Sequence, residues 1–374
     1  MRSPLPAPQP PASMWWMGAL IDPHQVQTWN LSQWQYVMRQ SRRMRLFGRL
    51  AEGIVTADIE SSVPSVVQPH LVGERHRSRA RLRALKWVID QTGQALTIID
   101  APRVLLKGAA YVAQGLPIAA GRLPSDLDIL VPKAAIDTTR QRLKDYDWRE
   151  AELDAHDSKY YQEWSHELPP MHNGRFELEL DVHHGILPPI ARSTVPTEPL
   201  LDRLMPSGID GWQVLCPVDQ VLHSAAHLFF DSELRDRARD LVDLDGMFRH
   251  FSQHPEFWHD LQDRAGHLRL LEPLFLAVHF CTQWLGTPVP DSVHATLDRT
   301  SLSPVRRAWL LPVLARALTA PGPDDDALAL QRLADLCVLV RYHLWRLPLH
   351  LLIPHLWHKS GRRPASQLES DDRA

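Results

Sequence analysis

The chain has 374 residues, of which 44% are hydrophobic and 23% charged, and its formal net charge is −3. This composition is typical of a globular protein with two or three domains, and the weak charge argues against a broad nucleic-acid-coating surface without excluding one basic groove. The three cysteines, Cys216, Cys281 and Cys337, lie far apart, which excludes a disulfide framework and predicts a cytoplasmic protein.

The first hundred residues have the spacing of helices. Residues 1–20 are expected to be disordered, except that the short apolar run at their end is expected to pack on the core. Apolar residues then recur at helical intervals over residues 31–59, with Asn30 or Ser32 as the cap. A second long helix is predicted over residues 64–99.

The next segment is a short apolar strand that leads directly into a helix. Val104 to Leu106 predicts the strand, and the helix-prone residues 109–114 follow Lys107 and Gly108. A glycine at such a turn lets backbone N–H groups approach a phosphate closely, and Lys107 adds a compact positive charge. The pattern indicates an anion-binding turn.

A second predicted strand, residues 126–131, begins with two carboxylates. Because side chains alternate along a strand, Asp126 and Asp128 share one face while Leu127 and Ile129 point to the core. Neighbouring carboxylates repel each other unless a cation lies between them, and Mg²⁺ prefers such oxygen ligands. The spacing therefore predicts a metal site.

A third carboxylate strand follows the Asn173-Gly174 turn. Over residues 176–182, apolar side chains occupy one face and Glu177, Glu179 and Asp181 the other. We interpret Glu177 as an exposed polar residue and Asp181 as a functional one. Residues 148–153 and 160–164 are further candidate strands.

The chain is expected to be helical from residue 196 onward. His223 and His227 stand four residues apart on one predicted helix, which suits a metal, but no third ligand is evident and buried structural histidines are favoured. The alternating charges of residues 235–245 predict pairing within a helix face. The apolar tail, residues 338–357, is interrupted by arginines and prolines, which favours a packed helix over a membrane segment.

These stretches together resemble the polymerase-beta-like nucleotidyltransferase superfamily, and most closely its bacterial branch of largely uncharacterised members. That branch reads roughly Leu-Lys-Gly-Ala-Ala, then Arg-x-x-x-Asp-x-Asp-hydrophobic-Leu-Val, then Asp-hydrophobic-His, which correspond to residues 106–110, 122–131 and 181–183. The resemblance covers roughly residues 25–300. Ala109 stands where many superfamily members carry serine or glycine, so a serine contact to phosphate is absent.

We predict the α+β fold class, with a small mixed β-sheet nucleotidyltransferase core embedded between N-terminal and C-terminal helical regions. The predicted segments are a disordered N-terminus over residues 1–20, a helical region over 21–99, the core over 100–195, a helical domain over 196–358 and a disordered tail over 359–374.

The resemblance implies an enzyme that transfers a nucleoside monophosphate from a nucleoside triphosphate, such as ATP, to an acceptor hydroxyl. Asp126, Asp128 and Asp181 would be catalytic and would bind Mg²⁺ or Mn²⁺. The residues assigned to the triphosphate are Lys107, Gly108, Ala109 and Arg122. The alternative is a non-catalytic nucleotide-binding regulator on the same fold. The acceptor stays open among a small molecule, a peptide and a protein, nucleic acid is not excluded, and no transmembrane segment is expected.

Overall fold

The computed structural model describes residues 12–319 and 328–353. The helices are α1 Leu31–Arg43, α2 Phe47–Thr56, α3 Gln68–Leu96, α4 Lys107–Ala113, α5 Ile136–Asp145, α6 Ala155–Glu163, α7 Glu198–Leu201, α8 Pro217–Phe230, α9 Ala238–Phe251, α10 Phe257–His267, α11 Leu271–Leu285, α12 Asp291–Thr300, α13 Pro304–Leu318 and α14 Leu328–Arg346. The strands are β1 Val104–Leu105, β2 Asp126–Leu130, β3 Arg149–Glu150, β4 Met171–His172, β5 Glu179–His183, β6 Met205–Pro206 and β7 Gln213–Val214.

The strands form one mixed sheet in the order β3-β4-β5-β2-β1-β7-β6. Strand β2 pairs with β5 in parallel and with β1 antiparallel, and β7 runs parallel to β1. The predicted α+β class is confirmed, since helices precede and follow this mixed sheet in the chain. The sheet extends beyond the predicted core boundary at residue 195, because β6 and β7 add to it next to β1.

The N-terminal helices begin and end where their sequence dictates. The Asn30 side chain accepts a hydrogen bond from the backbone of Gln33, whose side chain bonds back to the Asn30 backbone, so both cap α1. Arg45 takes a left-handed conformation, with φ of 55°, and separates α1 from α2. The single segment predicted over residues 31–59 is therefore two helices.

Two local predictions need correction. Residues 160–164 are not a strand, because they fall in and directly after α6, where Tyr160 and Trp164 lie four residues apart with ring centroids separated by 6.0 Å. Residues 12–20 form a 3-10 helix in which Met14, Trp16 and Met17 are fully buried. The prediction of disorder over residues 1–20 is therefore wrong for residues 12–20. The remaining predictions of disorder, for residues 1–11 and 359–374, lie outside the described residues.

Helices enclose the sheet and deliver side chains to one end of it. Helix α3 packs on α4, α5 and β2, whereas α8, α9 and α11 pack on one another. Helix α2 meets the loop before β2 at two glycines, where a Cβ on Gly48 would lie 2.4 Å from the carbonyl oxygen of Gly121. This close backbone approach fixes the start of the loop that carries Arg122.

Helix α14 packs against α8. The Arg341 guanidinium donates to the carbonyl of Phe229 at 2.6 Å, and the rings of Phe230 and Trp345 stack with centroids 4.6 Å apart. The described part of the tail is therefore a packed helix, as predicted. No helix among the described residues combines the length and the apolar character that crossing a membrane requires.

Candidate active site

A cavity of about 250 Å³ lies where β2, β5 and the start of α4 face α8, α9 and the end of α14. Its ionisable lining residues are Lys107, Tyr111, Arg122, Asp126, Asp128, His166, Glu167, Asp181, His183, His227, Asp231, Arg237, Arg239, Asp240, Asp243 and Arg346. Gly108 also lines it, whereas Ala109 is buried beneath the wall. Of the residues predicted from the sequence, six of seven thus share one cavity.

The register of two parallel strands brings the predicted carboxylates together. Asp128 on β2 is the direct neighbour of Asp181 on β5, and Asp126 is the neighbour of Glu179. Asp126, Asp128 and Asp181 line the cavity, whereas Glu179 is exposed outside it. The alternation of each strand therefore places all three aspartates on the face that the sequence predicted.

Asp128 is buried and is contacted by Lys107 and by His183. Its Oδ1 lies 2.7 Å from Lys107 Nζ and 3.1 Å from His183 Nε2. The positive Lys107 and the hydrogen bond from His183 hold the pKa of Asp128 well below its usual range, although burial opposes them. The hydrogen bond to Asp128 and the charge of Glu167 raise the pKa of His183 despite its burial.

Asp181 has no such partner. Among the described residues no ion pair is formed by Asp181 or by Asp126. Burial and then the negative charge of Asp128 raise the pKa of Asp181 to about 7. A pair of adjacent carboxylates of which one lacks a counter-charge is an arrangement that a divalent cation relieves, so this donor set fits Mg²⁺.

The turn into α4 comes at Lys107, so the helix begins two residues before the predicted start at Ala109. Lys107 takes a left-handed φ of 44°, and Gly108 follows it against the Arg122 guanidinium. A Cβ on Gly108 would lie 3.1 Å from Nε of Arg122, so a larger residue would push this arginine aside. Glycine at position 108 thus allows two positive side chains to flank the turn.

Arg122 is held in the cavity wall by a buried carboxylate. Its guanidinium donates to Asp243 of α9 and lies over the Tyr111 ring, 5.3 Å from the centroid. Asp243 also accepts from Arg49 of α2 at 3.1 Å. Arg122 Nε is buried and has no hydrogen-bond partner among the described residues.

Further arginines reach the cavity from distant parts of the chain. Arg237 and Arg239 pair with Asp240 at 3.4 and 3.3 Å, which agrees with the predicted pairing within this segment. Arg346, from α14, lies 3.1 Å from Asp231. None of these three arginines was predicted as a site residue, because a charged helix face does not indicate which surface it will contact.

His166 and Glu167 were also missed. They lie in the loop between α6 and β4, and Glu167 forms an isolated antiparallel bridge with His183. His166, Glu167 and His183 place one potential ligand atom each within 4.8 Å of one another. Within the described residues, Asp126, Asp128 and Asp181 do not reach this mutual spacing.

The His223 and His227 pair does not form a metal cluster. The rings lie 6.5 Å apart, and burial lowers the pKa of His223 to about 3 and that of His227 well below its usual range. Both imidazoles are therefore neutral, and no third ligand joins them among the described residues. This agrees with the interpretation of both as structural histidines.

Comparison with known families gives one match. A family model described as an uncharacterised nucleotidyltransferase matches residues 30–286 of the chain. Searches of the curated proteins and of the solved structures found no match.

Proposed function

Because the chain belongs to this nucleotidyltransferase family, whose model matches more than half of its length, we propose that it transfers a nucleoside monophosphate from a nucleoside triphosphate to an acceptor hydroxyl, with Mg²⁺ or Mn²⁺ as cofactor. The observation that carries the proposal is the convergence of carboxylates and cations in one cavity. Asp126, Asp128 and Asp181 line the same space as Lys107 and Arg122.

The charges of the cavity are suited to a metal–triphosphate complex. Seven carboxylates and five basic side chains line it, so with neutral histidines its formal charge is −2 and favours a bound cation, while the five basic side chains provide local positive charge for phosphate. Three of the carboxylates, Asp126, Asp128 and Asp181, lie on β2 and β5. Three others, Asp231, Asp240 and Asp243, lie on the opposite wall and are paired with arginines. This distribution favours metal at one end and phosphate at the other.

In this mechanism Asp126 and Asp128 would hold the metal. The bound ions would neutralise charge on the α-phosphate and lower the pKa of the acceptor hydroxyl. Asp181 would either share the metal or accept the hydroxyl proton, and its raised pKa suits the second role. Lys107, Gly108 and Arg122 bind and orient the β- and γ-phosphates so that attack is in line.

Lys107 has two roles in this scheme. Without nucleotide it neutralises Asp128 at 2.7 Å, and its pKa is raised by that carboxylate and by Asp126 although burial opposes the shift. A metal held by the carboxylates would free the ammonium group of Lys107 to contact phosphate. Metal and triphosphate are therefore expected to bind cooperatively.

The alternative is a regulator that binds the triphosphate and does not react with it. The cavity and its charged lining are compatible with both functions. Turnover of the triphosphate therefore distinguishes the enzyme from the regulator. The purified full-length chain is incubated with each labelled triphosphate and with Mg²⁺ or Mn²⁺, and pyrophosphate release and label transfer are measured across a panel of hydroxyl acceptors.

The matched variants are Asp181→Asn and Glu179→Gln, which remove one carboxylate each from the same strand and the same face. Only Asp181 lines the cavity. We expect Asp181→Asn to lower turnover at least a hundredfold and Glu179→Gln to change it less than twofold. Binding of a triphosphate without pyrophosphate release from any acceptor would favour the regulator, and absence of binding would reject both functions.

A further inference from the structure

A second group of ligand atoms lies beside the aspartates and has no part in the scheme above. The loop that carries His166 and Glu167 is fixed to β5 by backbone hydrogen bonds. The His184 amide donates to the His166 carbonyl at 2.8 Å, and the Leu168 amide donates to the Val182 carbonyl at 2.8 Å. Glu167 is thereby held directly across from His183.

Two buried histidines lie at this point, and each has one ring nitrogen without a hydrogen-bond partner among the described residues. His166 and His183 are 4% and 3% exposed, and their ring centroids are 5.4 Å apart. Nδ1 of His166 has no hydrogen-bond partner among the described residues. Nδ1 of His183 lies 3.3 Å from Oε2 of Glu167 without forming a hydrogen bond. Buried polar atoms of this kind are rare and indicate an absent partner.

The opposite nitrogen of each ring faces a carboxylate. His183 Nε2 lies 3.1 Å from Asp128 Oδ1, and His166 Nε2 lies 3.6 Å from Asp231 Oδ2. Histidines that bind metals through one nitrogen usually direct the other N–H to a carboxylate, which fixes the tautomer and the ring orientation. Both histidines therefore have the surroundings of metal ligands.

We propose that His166, Glu167 and His183 form a second metal site, which binds a divalent transition-metal ion of the Zn²⁺ type. Two imidazoles and one carboxylate favour such ions over Mg²⁺, whose preferred ligands are oxygens. In tetrahedral zinc sites with bonds of about 2.0–2.1 Å, neighbouring ligand atoms are about 3.3 Å apart. The separation of His183 Nδ1 from Glu167 Oε2 already has this value.

The ion would connect two parts of the cavity wall. It would tie the loop after α6 to the end of β5, and through His183 it would keep an N–H directed at Asp128. His183 is thus a positioning residue for the aspartate pair. The proposal concerns metal binding alone and does not depend on nucleotidyl transfer, so either can fail without the other.

The test measures Zn²⁺ binding to the full-length protein after removal of metals by a chelator. Calorimetric titration is performed in excess Mg²⁺, which competes for the aspartates, and Co²⁺ absorption provides a spectroscopic signature of the ligand geometry. The variants are His166→Gln and Glu167→Gln, and circular dichroism checks their folding. The control is His172→Gln, which alters a histidine that is exposed beside Glu179 at 3.7 Å.

We expect the wild-type chain to bind one Zn²⁺ at this site and both variants to bind it at least tenfold more weakly. Asp231→Asn should weaken binding 10–100-fold through the orientation of His166, and His172→Gln should have no effect. Glu167 is only half-buried, so its variant is expected to fold even if His166→Gln does not. Unchanged Zn²⁺ affinity in Glu167→Gln overturns the proposed site. A loss of Zn²⁺ affinity in Asp126→Asn as large as that in Glu167→Gln also overturns it, because the ion would then lie at the aspartates.

Discussion

Replacing Asp128 and Asp181 one at a time with asparagine should change the stability of the metal-free protein in opposite directions. Both substitutions remove one negative charge from the same pair of neighbouring side chains. Asp128, however, is contacted by Lys107 and His183, whereas Asp181 forms no ion pair among the described residues. The comparison therefore separates the carboxylate repulsion from the pairing of Asp128.

The magnitudes follow from the sheet geometry and from burial. Adjacent strands are about 4.8 Å apart, and two like charges about 5 Å apart repel by about 3 kcal/mol at an effective dielectric constant of 20. Either variant removes this repulsion, whose actual size is smaller because Lys107 lies beside Asp128. Asp128→Asn also leaves the Lys107 ammonium group and His183 without their carboxylate partner, at a cost of about 3–5 kcal/mol. Since the relief is common to both, the two variants should differ by about 3–5 kcal/mol.

The assay is denaturant unfolding at pH 8, above the pKa of about 7 of Asp181, with a chelator present. We expect Asp181→Asn to raise the free energy of unfolding and Asp128→Asn to lower it. Adding Mg²⁺ should stabilise the wild type and should stabilise neither variant as much. Equal shifts for both variants would refute the pairing of Asp128, and a destabilised Asp181→Asn would refute the unpaired carboxylate.

Further predictions concern four other residues of the chain. Lys107→Ala should weaken triphosphate binding at least tenfold in a titration with Mg²⁺ present, and unchanged affinity would remove this lysine from the phosphate site. Gly48→Ala should lower the free energy of unfolding by about 1–3 kcal/mol, because its Cβ would lie 2.4 Å from a backbone oxygen. Gly73→Ala should raise the free energy of unfolding by about 0.5–1 kcal/mol in the same measurement, because a Cβ at this position meets nothing within 4 Å. Arg264→Ala should lower the free energy of unfolding by about 3–5 kcal/mol, because the fully buried Asp219, 2.7 Å from this guanidinium, loses its partner. A change below about 1 kcal/mol would show that the pair behaves as a surface ion pair.

The strands that carry the aspartates were predictable because their information is local. Alternation of apolar and acidic residues fixes which side chains share a face, and it placed Asp126, Asp128 and Asp181 correctly relative to the core. The start of the third strand was placed too early. The ladder begins at Glu179, because the residues before it form bends that leave no backbone partner on β2.

The rest of the cavity wall was decided by packing. Asp243 binds Arg122 across 121 residues of chain, and His183 meets Asp128 across 55. The periodicity of a helix does not indicate which surface the helix will cover. The arginines beside α9 and Arg346 could therefore be interpreted from the sequence only as parts of charged helix faces. His166 and Glu167 belong to an irregular loop whose position depends on its bonds to β5.

The sequence alone therefore determined the family, the fold class and the carboxylate face, because each depends on a short ordered pattern. Only the tertiary structure decided which charges are paired. Lys107 was predicted as a phosphate ligand and lies against Asp128, while Asp181 was left without a counter-charge. Pairing depends on distances of a few ångströms between segments that are remote in the chain, and these are fixed by how the helices pack around the sheet.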